Sequence, residues 1–391
     1  MKKSNMLKKV LAVFICAVLL LSSSVLTVNA TDKVISVVGA PATQCRSALL
    51  MEAETGTVLY ELNADEALPP ASVTKIMTLL LVMEAIEAGS LKYDQMLSAS
   101  AYACSMGGSQ IYLKEGEQMS VDDLIKSVVI ASANDAAVVL AEAVAGSEDA
   151  FVEMMNKRAE ELGMENTHFE NTNGLDDTVE NHVTSARDIA IMSRELIKHK
   201  KITEYSSIWM DTIRDGEFGL TNTNRLVRFY KGATGLKTGS TDKAGFCISA
   251  TAERDGMKLI AVVMGSPTRD VRNASATSML DWGFANFKVY NAPAVSLEPI
   301  KAVGGNLQKC ELYAESFTSV VDKSAAGKIE YRIELPETVK APIRQGQKLG
   351  CIKYVVGDTE VGSVDIVSAT NVEKIRFRDV LARVFSAAFV N

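Results

Sequence analysis

Apolar positions near the start of the chain predict a strand pair followed by a buried helix. Residues 47–53 and 57–61 are short apolar-rich runs separated by the turn-forming residues 54–56, as in a β-hairpin. Residues 76–88 are almost continuously apolar and are followed by Gly89, a common helix stop. Because this helix has no wholly polar side, we expect it to lie in the protein core.

Helical patterning continues through the middle of the chain with one interruption. Residues 91–118 are mixed and contain turn-forming glycines, which indicates irregular structure with short strands. A helix is predicted to begin at Ser120 and to break at residues 131–135, where polar side chains separate two apolar runs. Further helices are predicted at residues 151–162 and 184–200.

Strand patterns return in the second half of this region. The last two of three predicted strands are joined by the hairpin turn Arg254-Asp255-Gly256, and a helix follows at residues 272–286. Strands and helices are therefore segregated along the chain, which is typical of an α+β fold with an antiparallel sheet flanked by helices. The three predicted strands are residues 236–240, 246–252 and 259–264.

The C-terminal part has a different pattern. Short strand-like segments separated by turn residues predict a small all-β domain over residues 292–370, after a first domain over residues 31–291. Residues 371–391 combine one apolar helix face with an excess of basic side chains, which is typical of an amphipathic helix lying on a membrane surface. The alternative is a terminal helix packed on its own domain. The apolar face consists of Phe377, Val380, Leu381, Val384, Phe385 and Ala388.

The first thirty residues have the pattern of an export signal. Four lysines flank the start of the apolar run at residues 10–21, and Val28-Asn29-Ala30 resembles a signal-peptidase site. We therefore assign residues 1–30 to a signal peptide and expect an exported protein. An uncleaved membrane anchor is the alternative.

Composition narrows the function classes. The 391 residues are 47% hydrophobic and 23% charged, which suits two or three globular domains. A net charge of −7 gives no reason to expect a nucleic-acid partner. The three histidines lack metal-ligand spacing, so we expect surface or structural roles for His168, His182 and His199, no metal site and no cofactor. The widely spaced cysteines are expected to be free thiols.

Three short motifs carry candidate chemistry. Ser72 and Lys75 are about one helical turn apart at the mouth of the buried helix, so their side chains share one face. Ser-x-x-Lys is weak evidence by itself, but Ser132-Ala133-Asn134 lies at the helix break and Lys237-Thr238-Gly239 lies on a predicted strand. A polar break between apolar helices costs stability unless it is satisfied or used.

In this order the motifs resemble those of penicillin-binding proteins and serine β-lactamases. Over essentially its whole length the chain resembles the low-molecular-weight penicillin-binding proteins, which are serine D-alanyl-D-alanine carboxypeptidases of peptidase family S11. The resemblance implies a penicillin-binding/β-lactamase-like transpeptidase domain. It also implies peptidoglycan stem peptides ending in D-Ala-D-Ala as substrate and β-lactam antibiotics as covalent inhibitors. With the export signal, it implies a location at the outer face of the bacterial cytoplasmic membrane or in the cell wall. Further similar stretches are His168-Phe169, Asn173-Gly174-Leu175, residues 184–188 and Ala341-Pro342-Ile343.

The resemblance implies catalytic roles that these side chains can fill. Ser72 is the expected nucleophile and needs a base within hydrogen-bond reach. Lys75 can be that base only when neutral, and both burial and the nearby cation Lys237 favour the neutral amine. Ser132 is expected to relay a proton to the leaving amine.

The remaining predicted site residues bind the substrate. Asn134 is expected to orient the substrate amide and to hold Lys75, while Lys237 and Thr238 bind the terminal carboxylate. Gly239 is expected to leave space for the peptide along the strand. The N–H groups of Ser72 and Ser240 would form an oxyanion hole. Arg272 is the first candidate for a further carboxylate ligand and Arg269 is the second.

Two departures from the family pattern and three rival functions bear on this interpretation. The middle motif is Ser-Ala-Asn, not the Ser-Asp-Asn of class A β-lactamases, and residue 240 is Ser where several family members carry His.

A β-lactamase is disfavoured because no Glu-x-x-x-Asn occurs between Glu148 and Glu180. The second rival function is that of a D,D-endopeptidase, and the third is that of a non-catalytic wall-binding protein.

Overall fold

The computed structural model describes residues 39–177, 179–381 and 385. The predicted signal peptide and most of the last ten residues lie outside the described residues. The strands of the first domain are β1 Ser47–Glu52, β2 Val58–Leu62, β3 Met96–Ser98, β4 Gln118–Ser120, β5 Met210–Ile213, β6 Phe218–Thr221, β7 Ala233–Thr241, β8 Gly245–Arg254 and β9 Met257–Ser266. The helices are α1 Lys75–Glu87, α2 Ala101–Cys104, α3 Val121–Lys126, α4 Asn134–Ala145, α5 Glu148–Glu161, α6 Ala186–Leu196, α7 Lys200–Ser206, α8 Leu226–Phe229 and α9 Arg269–Asn286.

A five-stranded antiparallel sheet in the order β2-β1-β9-β8-β7 organises the first domain. Alternate residues of β1 enter different hydrophobic clusters, because successive side chains of a strand point to opposite faces. Leu49 and Met51 join the cluster that contains α1 and α4, whereas Ala48 and Leu50 join the cluster that contains α9. The predicted α+β architecture, a sheet flanked by helices, is confirmed.

The buried helix predicted after residue 75 is α1, and its side chains belong to the hydrophobic cluster that also contains α4. Every residue from Lys75 to Met83 is buried, including the lysine. Full burial of one large apolar side chain contributes roughly 1.5–3 kcal/mol. The apolar run in the sequence therefore reflects a helix surrounded by protein, and this places Lys75 in the core.

Several element boundaries differ from the predictions for local reasons. The helix predicted at 184–200 ends at Leu196, and α7 starts separately at Lys200. Helix α9 begins at Arg269, before the predicted start, because the Thr268 hydroxyl caps it by accepting the N–H of Val271. The β5–β6 hairpin was not predicted, because strands of four residues present too few alternating positions.

The C-terminal region is built from small sheets, as predicted. Its sheets have the orders β12-β11-β16, β13-β18-β17-β15 and β10-β14. Because β10 precedes residue 292 but pairs with a later strand, the division at residue 291 stays a prediction. The strands are β10 Phe287–Asn291, β11 Ile300–Val303, β12 Lys309–Cys310, β13 Leu312–Ala314, β14 Thr318–Asp322, β15 Ile329–Glu334, β16 Thr338–Lys340, β17 Lys348–Val356 and β18 Thr359–Ser368.

The terminal helix starts later than residue 371. Val372 and Lys374 form β-bridges with Ile343 and Gly305, and the helix occupies residues 377–381 of the described chain. The helix starts later than predicted because Val372 is fully buried in the core of the small domain. Within the described residues, no helix combines the length and apolar character that crossing a membrane requires.

Candidate active site

The Ser72 hydroxyl stands on a tight turn that leads into α1. Residues Ala71–Thr74 form a single 3₁₀ turn, and Ala71 has a positive φ of 49°. The Thr74 hydroxyl donates to the Ala71 carbonyl over 2.8 Å. A left-handed residue other than glycine costs of order 1–3 kcal/mol and persists only where its surroundings hold it. The contacts of this turn therefore determine where Ser72 points.

Lys75 lies one helical turn behind Ser72 and is fully buried. Its Nζ donates to Ser72 Oγ over 2.8 Å and to the Asn173 carbonyl over 2.7 Å. Burial lowers the pKa of Lys75 well below its ordinary value, and the positive charge of Lys237 lowers it further. Asp135 acts in the opposite direction. An amine with a lowered pKa, in hydrogen-bond contact with Ser72 Oγ, can accept a proton from the serine.

A second serine–lysine pair faces the first. Ser132 follows the π-helical turn Ser127–Ala131 and is itself left-handed, with a φ of 63°. Lys237 Nζ, on β7, donates to Ser132 Oγ over 2.8 Å. Burial, followed by the charge of Arg272, lowers the pKa of Lys237 to about 7. Sequence reasoning assigned both residues to the site but did not predict this direct contact.

Asn134 presents an unpaired carbonyl in the interior. Its Nδ2 donates to the Gly107 carbonyl over 2.7 Å, while its Oδ1 is buried with no hydrogen-bond partner among the described residues. A buried acceptor without a partner costs about 1–3 kcal/mol, which a bound N–H group would recover. The expected contact from Asn134 to Lys75 is replaced by the contacts of Lys75 with Ser72 and Asn173.

Strand β7 brings the third motif against the turn Ala71–Thr74, which carries the predicted nucleophile Ser72 and is called the nucleophile turn below. A Cβ on Gly239 would lie 2.8 Å from Ser72 N and 2.9 Å from Pro70 O. Gly239 therefore allows the strand itself to approach the turn, in addition to the predicted space for a peptide. Ser240 follows it as an exposed residue. The Thr238 hydroxyl donates to Thr223 Oγ1 over 2.8 Å.

A cleft of about 430 Å³ joins these groups. Ser72, Ser132 and residues 238–240 line it together with both arginine candidates, Arg269 and Arg272. Arg272 is only 2% exposed and donates to the Cys247 carbonyl over 3.3 Å. Burial and the neighbouring Arg269 lower the pKa of Arg272 to about 10. Positive side chains and hydroxyl groups make this cleft suitable for a carboxylate ligand.

Several functional features escaped sequence reasoning. The Asn173 carbonyl that accepts from Lys75 is a backbone group, so residue type carries no signal for it. Gly174 packs against Ala71, and Trp209, Thr223 and Arg225 line the cleft. The resemblance of Asn173-Gly174-Leu175 to the family was the one sequence signal for the Asn173 carbonyl and Gly174.

Comparison with known proteins decides the family. Residues 35–268 match the family model for D-alanyl-D-alanine carboxypeptidases. Residues 284–374 match the model for the C-terminal domain of penicillin-binding protein 5. The chain belongs to the D-alanyl-D-alanine carboxypeptidase family. It is a serine-type D,D-carboxypeptidase, a hydrolase of cell-wall maturation.

Individual relatives agree along most of their length. The chain is 40% identical to the D-alanyl-D-alanine carboxypeptidase DacF of Bacillus subtilis, covering 87% of this chain and 89% of that protein. It is 34% identical to DacC of Escherichia coli, covering 86% of each. The structure of penicillin-binding protein 5 from Haemophilus influenzae matches with a TM-score of 0.80 and 30% identity, over 86% of this chain and all of that one.

The contact of Gly174 with the nucleophile turn yields a prediction. Gly174 has a φ of +83°, and a Cβ there would overlap the Ala71 carbonyl oxygen. Gly163, with a φ of +71°, has nothing within 4 Å of such a Cβ and serves as the control. We expect Gly174→Ala to lower the free energy of unfolding by about 1–3 kcal/mol more than Gly163→Ala, because only the former overpacks. Urea denaturation of both variants measures the difference, and equal losses would contradict the packing argument.

Proposed function

We propose that Ser72 attacks the carbonyl carbon of the penultimate D-alanine in a peptidoglycan stem peptide. The Ser72 hydroxyl proton passes to the neutral Lys75 amine while the Oγ–C bond forms. The observation that carries this proposal is the 2.8 Å contact between Lys75 Nζ and Ser72 Oγ, made by a buried amine of lowered pKa. A positioned base of this kind contributes about 10²–10⁴-fold in rate.

Collapse of the tetrahedral intermediate breaks the peptide bond and releases the terminal D-alanine. The departing nitrogen takes the hydroxyl proton of Ser132. Ser132 is reprotonated by Lys75, which thereby gives up the proton it took from Ser72; the Ser132 hydroxyl also contacts Lys237. The N–H groups of Ser72 and Ser240 stabilise the oxyanion in both steps, and one such donor is worth about 3–4 kcal/mol. Water then hydrolyses the Ser72 ester, releasing the shortened peptide and restoring the hydroxyl.

Substrate selection follows from the charges along the cleft. Lys237 and Thr238 bind the free carboxylate of the terminal D-alanine, and Arg272, which lines the cleft with Thr238, adds positive charge. The Asn134 carbonyl accepts an N–H of the peptide, which satisfies its unpaired oxygen. A substrate lacking that terminal carboxylate would bring no negative charge to the cations at this end of the cleft, so we expect the enzyme to discriminate against it.

Covalent inhibition by β-lactams follows from the same machinery. The structure of penicillin-binding protein D2 from Listeria monocytogenes in an ampicillin-bound form matches this chain at 33% identity and a TM-score of 0.58, over 63% of this chain. No carboxylate lines the described part of the cleft here, so no glutamate is placed to activate a deacylating water. We therefore expect a long-lived acyl-enzyme with penicillin.

Labelling with fluorescent penicillin tests the nucleophile. We expect the enzyme to be labelled covalently and to release D-alanine from diacetyl-Lys-D-Ala-D-Ala, and Ser72→Ala to lose both properties. The control is Ser105→Ala, at a serine whose hydroxyl donates to the Tyr102 carbonyl; it should behave as the parent. If Ser72→Ala is still labelled covalently, Ser72 is not the nucleophile.

The pH dependence of acylation tests the base. Because the Lys237 charge lowers the pKa of Lys75, Lys237→Gln should raise that pKa and move the acid limb of the pH–rate profile to higher pH. Lys243→Gln, at an exposed lysine bonded to the Asp176 carbonyl, is the matched control. Penicillin acylation rates between pH 5 and 9 give the profile. An unmoved acid limb in Lys237→Gln would exclude Lys75 as the titrating base.

We also propose that the terminal helix holds the exported enzyme on the outer face of the cytoplasmic membrane. Phe377 is 80% exposed, and Val380 and Leu381 are exposed on the same segment. An apolar face flanked by basic side chains suits the interface of an anionic bilayer. Residues 372–374 belong to the β-domain, so the membrane-binding segment begins after them.

Truncation at the observed helix start tests this role. A protein of residues 31–376 should retain the β-domain contacts and full D-alanine release, and should no longer sediment with vesicles containing anionic lipid. The protein of residues 31–391 should sediment, and less so at high salt. Equal sedimentation of the two forms would rule out the helix as the anchor.

A further inference from the structure

The nucleophile turn is held on its inner side by the segment between His168 and His182. This segment supplies the carbonyl of Asn173 to Lys75 and packs Gly174 against the Ala71 carbonyl. At its end, His182 Nε2 lies 2.8 Å from Thr74 Oγ1. The proposed mechanism assigns no role to the histidine.

The hydrogen bonds of His182 define its tautomer. The backbone N–H of Glu170 donates to His182 Nδ1 over 2.9 Å, so Nδ1 is an acceptor and the proton resides on Nε2. Nε2 consequently donates to Thr74 Oγ1, and the Thr74 hydroxyl donates in turn to the Ala71 carbonyl. The chain of donors leads from the imidazole to the residue before Ser72.

The surroundings keep the ring neutral and fixed. His182 is 4% exposed, and its ring packs edge to face with Phe169 at 5.7 Å. Burial lowers the pKa of His182 to about 4; of the other charged groups that face it, Glu170 and Asp176 raise the pKa, whereas His168 and Lys75 lower it. A neutral ring can accept from Glu170 and donate to Thr74 at once, which an imidazolium cannot.

We propose that His182 is a positioning residue that acts through Thr74 to hold the left-handed Ala71 and thereby aim Ser72 Oγ at the substrate carbonyl. The inference rests on the proposed role of Ser72 as nucleophile. A buried histidine without this role would affect stability alone. A displacement of about 1 Å in a nucleophile costs on the order of 10²-fold in rate, so the effect belongs to the acylation step.

Two substitutions separate the two ring nitrogens. The carboxamide of His182→Asn can take the place of Nδ1 and accept from Glu170, but it does not reach Thr74; the longer His182→Gln reaches Thr74 in place of Nε2. We expect His182→Asn to lower the second-order rate of penicillin acylation about 10- to 100-fold and His182→Gln to lower it much less. The dissociation constant for non-covalent penicillin, measured in the Ser72→Ala background, should stay unchanged.

Substitutions of Thr74 test whether Thr74 and His182 act through the same contact, and they leave the histidine in place. Thr74→Val should lose as much acylation rate as His182→Asn, Thr74→Ser should restore it, and the double variant should be no slower than either single one. The control is His199→Asn, because His199 is also buried and contacts Glu87 at the far end of α1 over 2.7 Å. Its substitution should lower the melting temperature without slowing acylation.

The outcomes are distinct. Folded His182→Asn or Thr74→Val protein that acylates at the parent rate overturns the proposal, as do losses that multiply in the double variant. Should His182→Asn not fold, the Thr74 pair decides the same contact. Failure of the proposed function has another signature, since the unsubstituted enzyme would then take up no penicillin or Ser72→Ala would still take it up.

Discussion

Two buried amines beside two serines set the physical constraint on this enzyme. Moving the pKa of Lys237 from 10.5 to about 7 corresponds to a free energy on the order of 5 kcal/mol. That is comparable with the net stability of many whole domains. Apolar side chains buried around α1 and on both faces of the sheet stabilise the fold and offset this cost. The core is therefore part of the catalytic apparatus, since it creates the low pKa values.

The site is assembled from segments distant in sequence, and each contributes backbone as well as side chains. The turn at residues 71–74 and the bend at Ser132 both contain left-handed residues that are not glycine. Strand β7 approaches Ser72 through a residue without a side chain. Such strained or close-packed positions need support from their neighbours, and the segment from His168 to His182 supports the first of them.

Periodic features were predictable from the sequence and individual contacts were not. The hairpin β1–β2, the helix α1 and the strands β8 and β9 were predicted because their apolar runs leave few alternatives. Strand β7 was predicted as well, although Leu236 is the only apolar residue in its predicted range, 236–240. The three motifs identified the family and most of the candidate site. The pairing of Lys237 with Ser132 and the Asn173 carbonyl could not be predicted, because they depend on tertiary geometry. The late start of the terminal helix could not be predicted either, because it depends on the burial of Val372 in the core of the small domain.

Strand β7 is the edge of its sheet, and the free edge faces the cleft. A peptide that pairs with this edge becomes an additional strand. In an extended chain each side chain points to one face of the sheet, and inverting the configuration at Cα sends it to the opposite face. For a peptide paired with β7, the methyl groups of D-alanine and L-alanine would therefore lie on opposite faces of the added strand. Selection between the two configurations would then depend on which face of the added strand the walls of the cleft contact.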